Sequence, residues 1–287
     1  MKPKLVALIT IISLVLGASQ VGAAKPDFSS ATLDASGTSR NLTLPTPADN
    51  SPVISLGTGI DPKTGKMVEG LAFIHYKKDF THKPNHPGGG GGTTSKCFSF
   101  LSQGTKWKTV ESWVVNPANT RSLTSTFVFD NLSSNIGKWE DAADGTVGNG
   151  VSVDILGSGS STNSALVADS QNPDGQNEVY FADVSSQGAI AVTIVWGIFS
   201  GPPFARELVE WDQVYDDVDF DWSASATGEA GKMDFENVST HEIGHSDGMG
   251  HPDDSCTEES MYRFSANGET KKRDLNTGDI AGINQLY

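Results

Sequence analysis

The stretch that organises this chain is His241-Glu242-Ile243-Gly244-His245-Ser246-Asp247-Gly248-Met249-Gly250-His251. If residues 235–247 form a helix, His241 and His245 lie four positions apart on one face, where both imidazoles can reach one metal ion. Gly248 can adopt the left-handed conformation that ends a helix, and this turn would bring His251 back to the same ion. Because three protein ligands leave a fourth zinc position for water, the spacing predicts a catalytic zinc site.

Glu242 follows the first histidine directly, so its carboxylate would lie beside the open metal position without binding as a ligand. A general base belongs there. An isolated H-E-x-x-H arises by chance in on the order of one chain in a hundred, which is moderate evidence. The added Gly248 and His251 at fixed spacing lower that chance by a further factor of roughly several hundred.

The pattern His-Glu-x-x-His-x-x-Gly-x-x-His, followed by Ser260-Met261-Tyr262, resembles the metzincin metallopeptidases. This Met turn and the terminal residues 279–287 are similar to the matrixin branch. The resemblance implies a zinc endopeptidase in which Met261 forms the floor under the metal without binding it. Zinc would polarise the scissile carbonyl and acidify water, while Glu242 would take the water's proton and deliver it to the leaving amine.

Three positions depart from the matrixin pattern. Asp247 and Met249 stand where matrixins usually carry Leu, and Pro252 stands where they usually carry Ser or Thr. A proline after the third histidine is similar to the serralysin branch. Two other function classes remain as alternatives: a secreted binding protein on a non-catalytic peptidase scaffold, and a zinc hydrolase that acts on a substrate without peptide bonds.

Composition and the first residues predict the compartment. The formal net charge of −15 disfavours nucleic acid and anionic membrane as partners. Residues 1–24 combine early lysines, an apolar run at Leu5–Leu16 and small residues at 21–24, which together predict a signal peptide and secretion. No later segment is apolar enough to span a membrane after signal removal, and the sequence does not indicate an oligomeric state.

Residues 25–96 are expected to form a pro-region or an accessory N-terminal segment. They are rich in Ser, Thr, Pro, Asn and Gly and end in a glycine-rich linker at 88–92. Val53–Leu56 and Leu71–Tyr76 could pair as two strands of a small sheet. Three histidines in this segment show no ligand spacing and are expected to be solvated: His75, His82 and His86.

The two cysteines, Cys97 and Cys256, are expected to form one disulfide in an exported protein. That bond would join the start of the catalytic region to the loop between the third histidine and the Met turn. The alternative comes from the resemblance, because a matrixin pro-segment cysteine can occupy the zinc. Cys97 lacks the residues that surround that cysteine in the family.

Residues 97–287 are predicted to form the catalytic domain, of class α+β. The resemblance implies a mixed, mostly parallel twisted sheet, an edge strand for substrate, a zinc-binding helix and a C-terminal helix. Thr124–Ala143 has the pattern of an amphipathic helix. Asp234 is a plausible N-cap of the zinc helix, and Asn276 with Asp279 forms a cap for the last helix. The predicted strands are Ser112–Val115, Val151–Leu156, Glu178–Val184, Ala189–Trp196 and Glu207–Tyr215.

Two further expectations concern substrate and calcium. Ala189–Trp196 would correspond to the family's edge strand, which binds a protein or peptide substrate as an added extended strand; an ordinary core strand has the same pattern. Seven acidic residues could supply oxygen ligands to a structural Ca²⁺, or form a solvated acidic face. They are Glu207, Glu210, Asp212, Asp216, Asp217, Asp219 and Asp221.

Overall fold

A computed structural model describes residues 40–45, 51–78 and 96–287 of the chain. The predicted signal peptide, the linker at 88–92, His82 and His86 lie outside these residues. The strands are β1 (Asn41–Leu42), β2 (Val53–Ile60), β3 (Met67–Lys77), β4 (Ser99–Phe100), β5 (Glu111–Val115), β6 (Leu156–Ser161), β7 (Asn177–Val184), β8 (Ala189–Ile198), β9 (Glu207–Asp216), β10 (Trp222–Ser223), β11 (Met233–Asp234), β12 (Met249–Gly250) and β13 (Phe264–Ser265). The α-helices are α1 (Ser125–Ala142), α2 (Phe235–Ser246) and α3 (Thr277–Leu286), and short 3₁₀ turns lie at Pro203–Ala205 and Lys271–Arg273.

The largest sheet in the described part of the chain is mixed and has nine strands. Its main path is β13-β3-β8-β9-β7-β5-β6, with β2 paired to β3 and β1 paired to β7. Strands β5, β6, β7 and β9 run parallel, whereas β8 is antiparallel to both β3 and β9. The predicted α+β class with a mixed, mostly parallel sheet is confirmed, and helices are present at the two predicted places, α2 with His241 and His245 and α3 at the C-terminus.

The prediction that Ala189–Trp196 forms the edge strand of the sheet is wrong, because this segment is β8, an interior strand between β3 and β9. Strand β3 pairs with it from Glu69↔Gly197 to Tyr76↔Ala189, so its outer backbone groups already have partners. The physical reason lies in β3, whose alternate residues are buried on both faces and therefore need a central place in the sheet. The predicted β2–β3 pair is present, but it joins this sheet instead of forming a small one of its own.

Capping residues and apolar periodicity predicted most of the other helices and strands correctly. Helix α1 has its N-cap at Thr124, whose hydroxyl accepts the Phe127 amide, and α2 is capped by Asp234 as predicted. One strand is displaced, because β6 begins at Leu156, where the predicted strand ends. The preceding residues fold over α1 instead, and the carboxylate of Glu140 accepts the amides of Ile155 and Leu156.

Both faces of the sheet are covered by apolar side chains. Helices α1, α2 and α3 pack on one face through residues such as Trp139, Phe235 and Ile283, and a second cluster around Ile74 and Trp196 covers the other. The predicted disulfide joins Cys97 to Cys256, so the alternative role of Cys97 as a zinc-occupying thiol does not apply in this structure. Among the helices of the described ranges, none is long and apolar enough to cross a membrane.

Candidate metal and catalytic site

Helix α2 presents two of the predicted metal-binding histidines, and a glycine turn returns the third. The carboxylate of Asp234 accepts the amide of Asn237 at 2.9 Å and so fixes the start of the helix. The helix ends at Ser246, and Gly248 has φ +102°, the left-handed conformation expected of it. His241 and His245 project from one face, and His251 meets them beyond the turn.

The ring nitrogens of the three histidines converge on one point. His251 Nε2 lies 3.0 Å from His245 Nε2 and 3.2 Å from His241 Nε2. The opposite ring nitrogens face backbone carbonyls, with His241 Nδ1 2.6 Å from Ser260 O and His245 Nδ1 2.8 Å from Met249 O. A carbonyl only accepts, so both Nδ1 atoms carry the proton and both Nε2 lone pairs point inward.

This donor set fits a tetrahedral metal ion. Zinc bound at about 2.0–2.1 Å from each nitrogen places neighbouring ligand nitrogens about 3.3 Å apart, close to the spacings seen here. Burial lowers the pKa of His241 and His251 well below the usual value and that of His245 to about 3. Neutral imidazole is the form that binds metal, and a group of these three residues can hold one ion.

The predicted general base lies beside the three histidines but is already engaged. Glu242 is fully buried; its Oε2 accepts the Thr193 hydroxyl at 2.6 Å, and its Oε1 lies 3.0 Å from His75 Nδ1. Burial raises the pKa of Glu242 to about 8, while the Thr193 hydrogen bond opposes this rise. Both carboxylate oxygens therefore have protein partners in this structure.

His75 was predicted to be solvated, and this prediction is wrong. Its ring is buried 4.0 Å from the His241 ring, and its Nε2 lies 3.0 Å from Ser265 Oγ and 3.1 Å from Lys272 Nζ. With Lys272 in its ammonium form, which only donates, His75 Nε2 accepts and its Nδ1–H is donated to Glu242. One feature of the sequence could have indicated its burial: His75 is two positions after Phe73 in an apolar strand, so both side chains lie on the same face.

Lys272 is a second residue that the sequence did not indicate. It is fully buried, donates to the Tyr262 carbonyl as well as to His75, and burial lowers its pKa to about 7. Phe73 also contacts one of the three histidines, because its ring stacks on that of His245 with the ring centroids 4.5 Å apart. Strand β3 thus covers the histidines through Phe73 and His75.

The Met turn lies beneath the helix, as the resemblance implies. Met261 is fully buried, and a Cβ on Gly244 would lie 2.3 Å from its sulfur, so the glycine permits this close packing. The amides of Ser260 and Met261 are accepted by Asp279 at 2.7 Å and 3.1 Å. Asp279 also closes the predicted capping box of α3 with Asn276.

The predicted acidic run is divided by the fold. Glu210 comes together with Asp169 and Asp174, and one carboxylate oxygen from each lies within 4.8 Å of the others. Among the described residues, no donor group lies beside Asp169 Oδ2 or Glu210 Oε1, both of which are buried. The two carboxyls share a hydrogen bond only when one of them is protonated, and burial raises the pKa of Glu210 to about 9. The other acidic residues bind protein groups instead. Glu207 forms salt bridges with Lys66 and Lys108, and Asp221 forms one with Arg121. Backbone amides donate to the carboxylates of Asp212, Asp216 and Asp217. Asp219 donates its amide to Asp216.

Comparison with known proteins agrees with this geometry. Residues 202–287 match the family model Peptidase_M10, described as matrixin. The chain is also similar to Metalloendoproteinase 1-MMP of Arabidopsis thaliana, with 46% identity over 55 residues, which are 19% of this chain and 14% of that protein. The chain therefore matches only a small part of the length of this relative. Residues 202–287, which hold the three convergent histidines and the Met turn, are thus similar to the matrixins.

Proposed function

We propose that this protein is a secreted zinc-dependent endopeptidase. The observation that carries the proposal is the convergence of three neutral imidazoles, from His241, His245 and His251, beside the carboxylate of Glu242. When bound, zinc supplies a Lewis acid that polarises a carbonyl and acidifies water. A relative named as a metalloendoproteinase supports peptide bonds as the substrate class.

The chain's own residues would perform two tasks in this reaction. Ser260 and Met249 orient His241 and His245 through their backbone carbonyls, which keeps the Nε2 lone pairs directed at one point, where a metal ion would be held. Glu242 would accept a proton from the attacking water and deliver it to the leaving amine. Its raised pKa, about 8, lies near neutral pH, where such a group can both accept and donate.

The test separates metal binding from catalysis. Glu242→Gln should retain zinc, because Glu242 is not a ligand, and should lower peptide hydrolysis by about 10²–10⁴-fold through loss of the general base. Zinc content by mass spectrometry and cleavage of a peptide library should be measured before and after limited proteolysis, with and without a chelator. Glu258→Gln, at an exposed carboxylate, is the matched control. Unchanged cleavage by the Glu242 variant would refute the assignment.

Export is part of the same proposal. Residues 1–24 have the signal-peptide pattern, and the Cys97–Cys256 disulfide suits an oxidising compartment, because such bonds persist mainly outside the cytosol. Mass spectrometry of the N-terminus of the exported protein should give a first residue after position 24. An N-terminus at Met1 in the culture medium would contradict a cleaved signal.

We also propose a structural Ca²⁺ at Asp169, Asp174 and Glu210. Asp169 Oδ2 and Glu210 Oε1 are buried with no donor group of the described residues beside them, and burial together with the nearby Asp169 carboxylate raises the pKa of Glu210 to about 9. A hard divalent cation held by the three carboxylates would take the place of the proton that Asp169 and Glu210 share without it. Calcium at a hundredfold excess over its Kd should stabilise the fold by about 2.7 kcal/mol, which is about 5–11 °C in Tm for a domain of this size. Glu210→Gln should abolish the shift, whereas Asp221→Asn should keep it; a wild-type Tm that is equal in Ca²⁺ and in EGTA would contradict the site.

A further inference from the structure

We propose that Thr193 of β8 is a positioning residue for Glu242: its hydroxyl holds one carboxylate oxygen and thereby directs the other toward the convergent histidines. The inference rests on the proposed function and adds a residue to the same site. The observation that carries it is a hydrogen bond of 2.6 Å from Thr193 Oγ1 to Glu242 Oε2, between two side chains that are both fully buried.

Thr193 is a polar residue in an otherwise apolar stretch of β8. From Ala189 to Val195 the other side chains are aliphatic, and every one is buried. A buried hydroxyl without a partner is costly, whereas valine has nearly the same shape and no group to satisfy. Packing alone therefore does not require a threonine here, and the hydroxyl finds its acceptor in Glu242.

The two oxygens of Glu242 have different surroundings. Oε2 accepts the Thr193 hydroxyl and has no other donor among the described residues. Oε1 faces His75, whose ring lies 4.0 Å from the ring of His241. Because a carboxylate oxygen has two lone pairs, Oε1 can accept a hydrogen bond from water in addition to that of His75. With Oε2 held by Thr193, Oε1 is the oxygen that would take the proton of the attacking water.

The sheet and helix α2 are in register at this contact. Thr193 pairs with Gln213 of β9, so the two side chains lie on the same face of adjacent strands. Gln213 Nε2 donates to Ser246 Oγ at 3.0 Å, and Ser246 follows Glu242 by one turn of the helix. A helical turn rises about 5.4 Å and neighbouring strands lie about 4.7–4.9 Å apart, so two strands can hold two successive turns. The Gln213 bond thus fixes the rotation of α2 that brings Glu242 to Thr193.

Loss of the Thr193 hydroxyl should turn the general base without displacing the metal. The Nδ1 atoms of His241 and His245 face backbone carbonyls, and these contacts do not involve Thr193. Without its donor, the buried Oε2 has no partner, and the carboxylate of Glu242 is free to rotate about its side-chain bonds. Misplacement of a reacting group by about 1 Å can lower a rate by about 100-fold.

The experiment compares Thr193→Val, Thr193→Ser and Thr105→Val with the wild type, each as the full chain loaded with zinc and treated identically. For a peptide that the wild type cleaves, Thr193→Val should lower kcat by about 10–100-fold with an unchanged KM and zinc content. Thr193→Ser keeps the hydroxyl and should retain most of the wild-type kcat, although it loses a buried methyl. Thr105→Val is the matched control, since Thr105 is fully buried and its hydroxyl has no partner among the described residues.

A second measurement needs neither substrate nor metal. Urea unfolding is compared for the zinc-free wild type, Thr193→Val, Glu242→Ala and the double variant. With Glu242 present, Thr193→Val should raise the unfolding equilibrium constant by about tenfold or more, because a buried acceptor is left without its donor. In the Glu242→Ala chain the same change should be neutral or stabilising, since the hydroxyl has already lost its acceptor.

The outcomes separate this inference from the proposed function. If the wild type hydrolyses peptides and Thr193→Val does so with the same kcat, the positioning role is overturned. Thr193→Ser as slow as Thr193→Val would also overturn it, because the site would then depend on packing and not on the hydroxyl. If the wild type hydrolyses no peptide, the peptidase is rejected, and the unfolding cycle decides alone: additive changes reject the role of Thr193 in orienting Glu242, and non-additive changes support it.

Discussion

Gly244 shows how one missing side chain brings the helix and the Met turn together. It lies between the two helical histidines, and the space that its Cβ would fill is occupied by the Met261 sulfur and by the Trp139 ring, 2.3 Å and 2.6 Å away. Neither neighbour can move freely, because both are fully buried in the main core. The contact between α2 and the floor of the site therefore depends on a glycine at this position.

Gly244→Ala is expected to destabilise the protein. The added methyl overpacks the core against Met261 and Trp139, which typically costs about 1–3 kcal/mol. Gly137→Ala is the matched control, since Gly137 is also helical but has nothing within 4 Å of its Cβ position, and this change should stabilise by up to about 1 kcal/mol. Urea unfolding of both variants gives the comparison. Equal midpoints for the two variants would contradict the packing argument.

Residues at the N-terminus of α3 support the candidate metal site as well as the start of their own helix. Asp279 accepts the Asn276 amide at 2.9 Å in the capping box, and the same carboxylate accepts the amides of Ser260 and Met261. The Ser260 carbonyl in turn orients His241 through Nδ1. The sequence predicted the cap alone, because a capping box is local, whereas the bond to the Met turn joins residues that are 19 and 18 positions apart.

Asp279→Asn should therefore affect both stability and metal binding. One amide acceptor is lost and the charge of the capping group is removed, so unfolding free energy should fall by about 1–3 kcal/mol. Zinc affinity should fall by about 10–100-fold, as when an outer-shell partner is changed. Competition with a fluorescent zinc chelator measures the second effect. Asp130→Asn, at an exposed residue of α1, is the control; a zinc affinity equal to that of this control would reject the link.

At the scale of the whole molecule, a disulfide connects the start of the predicted catalytic region to the loop after the third histidine. Cys97 and Cys256 are 159 positions apart in sequence. Near this bond, β4 pairs with β12, the two-residue strand that leads into His251. The crosslink thus constrains a very long loop in the unfolded chain and holds the return segment of the site against the rest of the fold.

The double variant Cys97→Ser/Cys256→Ser should lose about 2–5 kcal/mol of unfolding free energy, mainly because the unfolded chain gains conformational freedom. Guanidinium unfolding of the oxidised wild type, the reduced wild type and the double variant measures this loss. The reduced wild type should match the variant, since both lack the bond. A variant as stable as the oxidised wild type would show that the crosslink does not stabilise this fold.

The sequence by itself determined the candidate metal site, because its three histidines, its turn and its helix cap all lie within 18 residues from Asp234 to His251 and obey local spacing. It also indicated the α+β class, most strands and the helix caps. Only the tertiary structure decided that β8 is interior, that Glu210 meets Asp169 and Asp174, and that His75 reaches Glu242 across 167 positions. Those contacts arise from strand order, which local periodicity does not encode: an apolar run predicts a buried strand, but the identity of its neighbour depends on which distant segment covers its free edge.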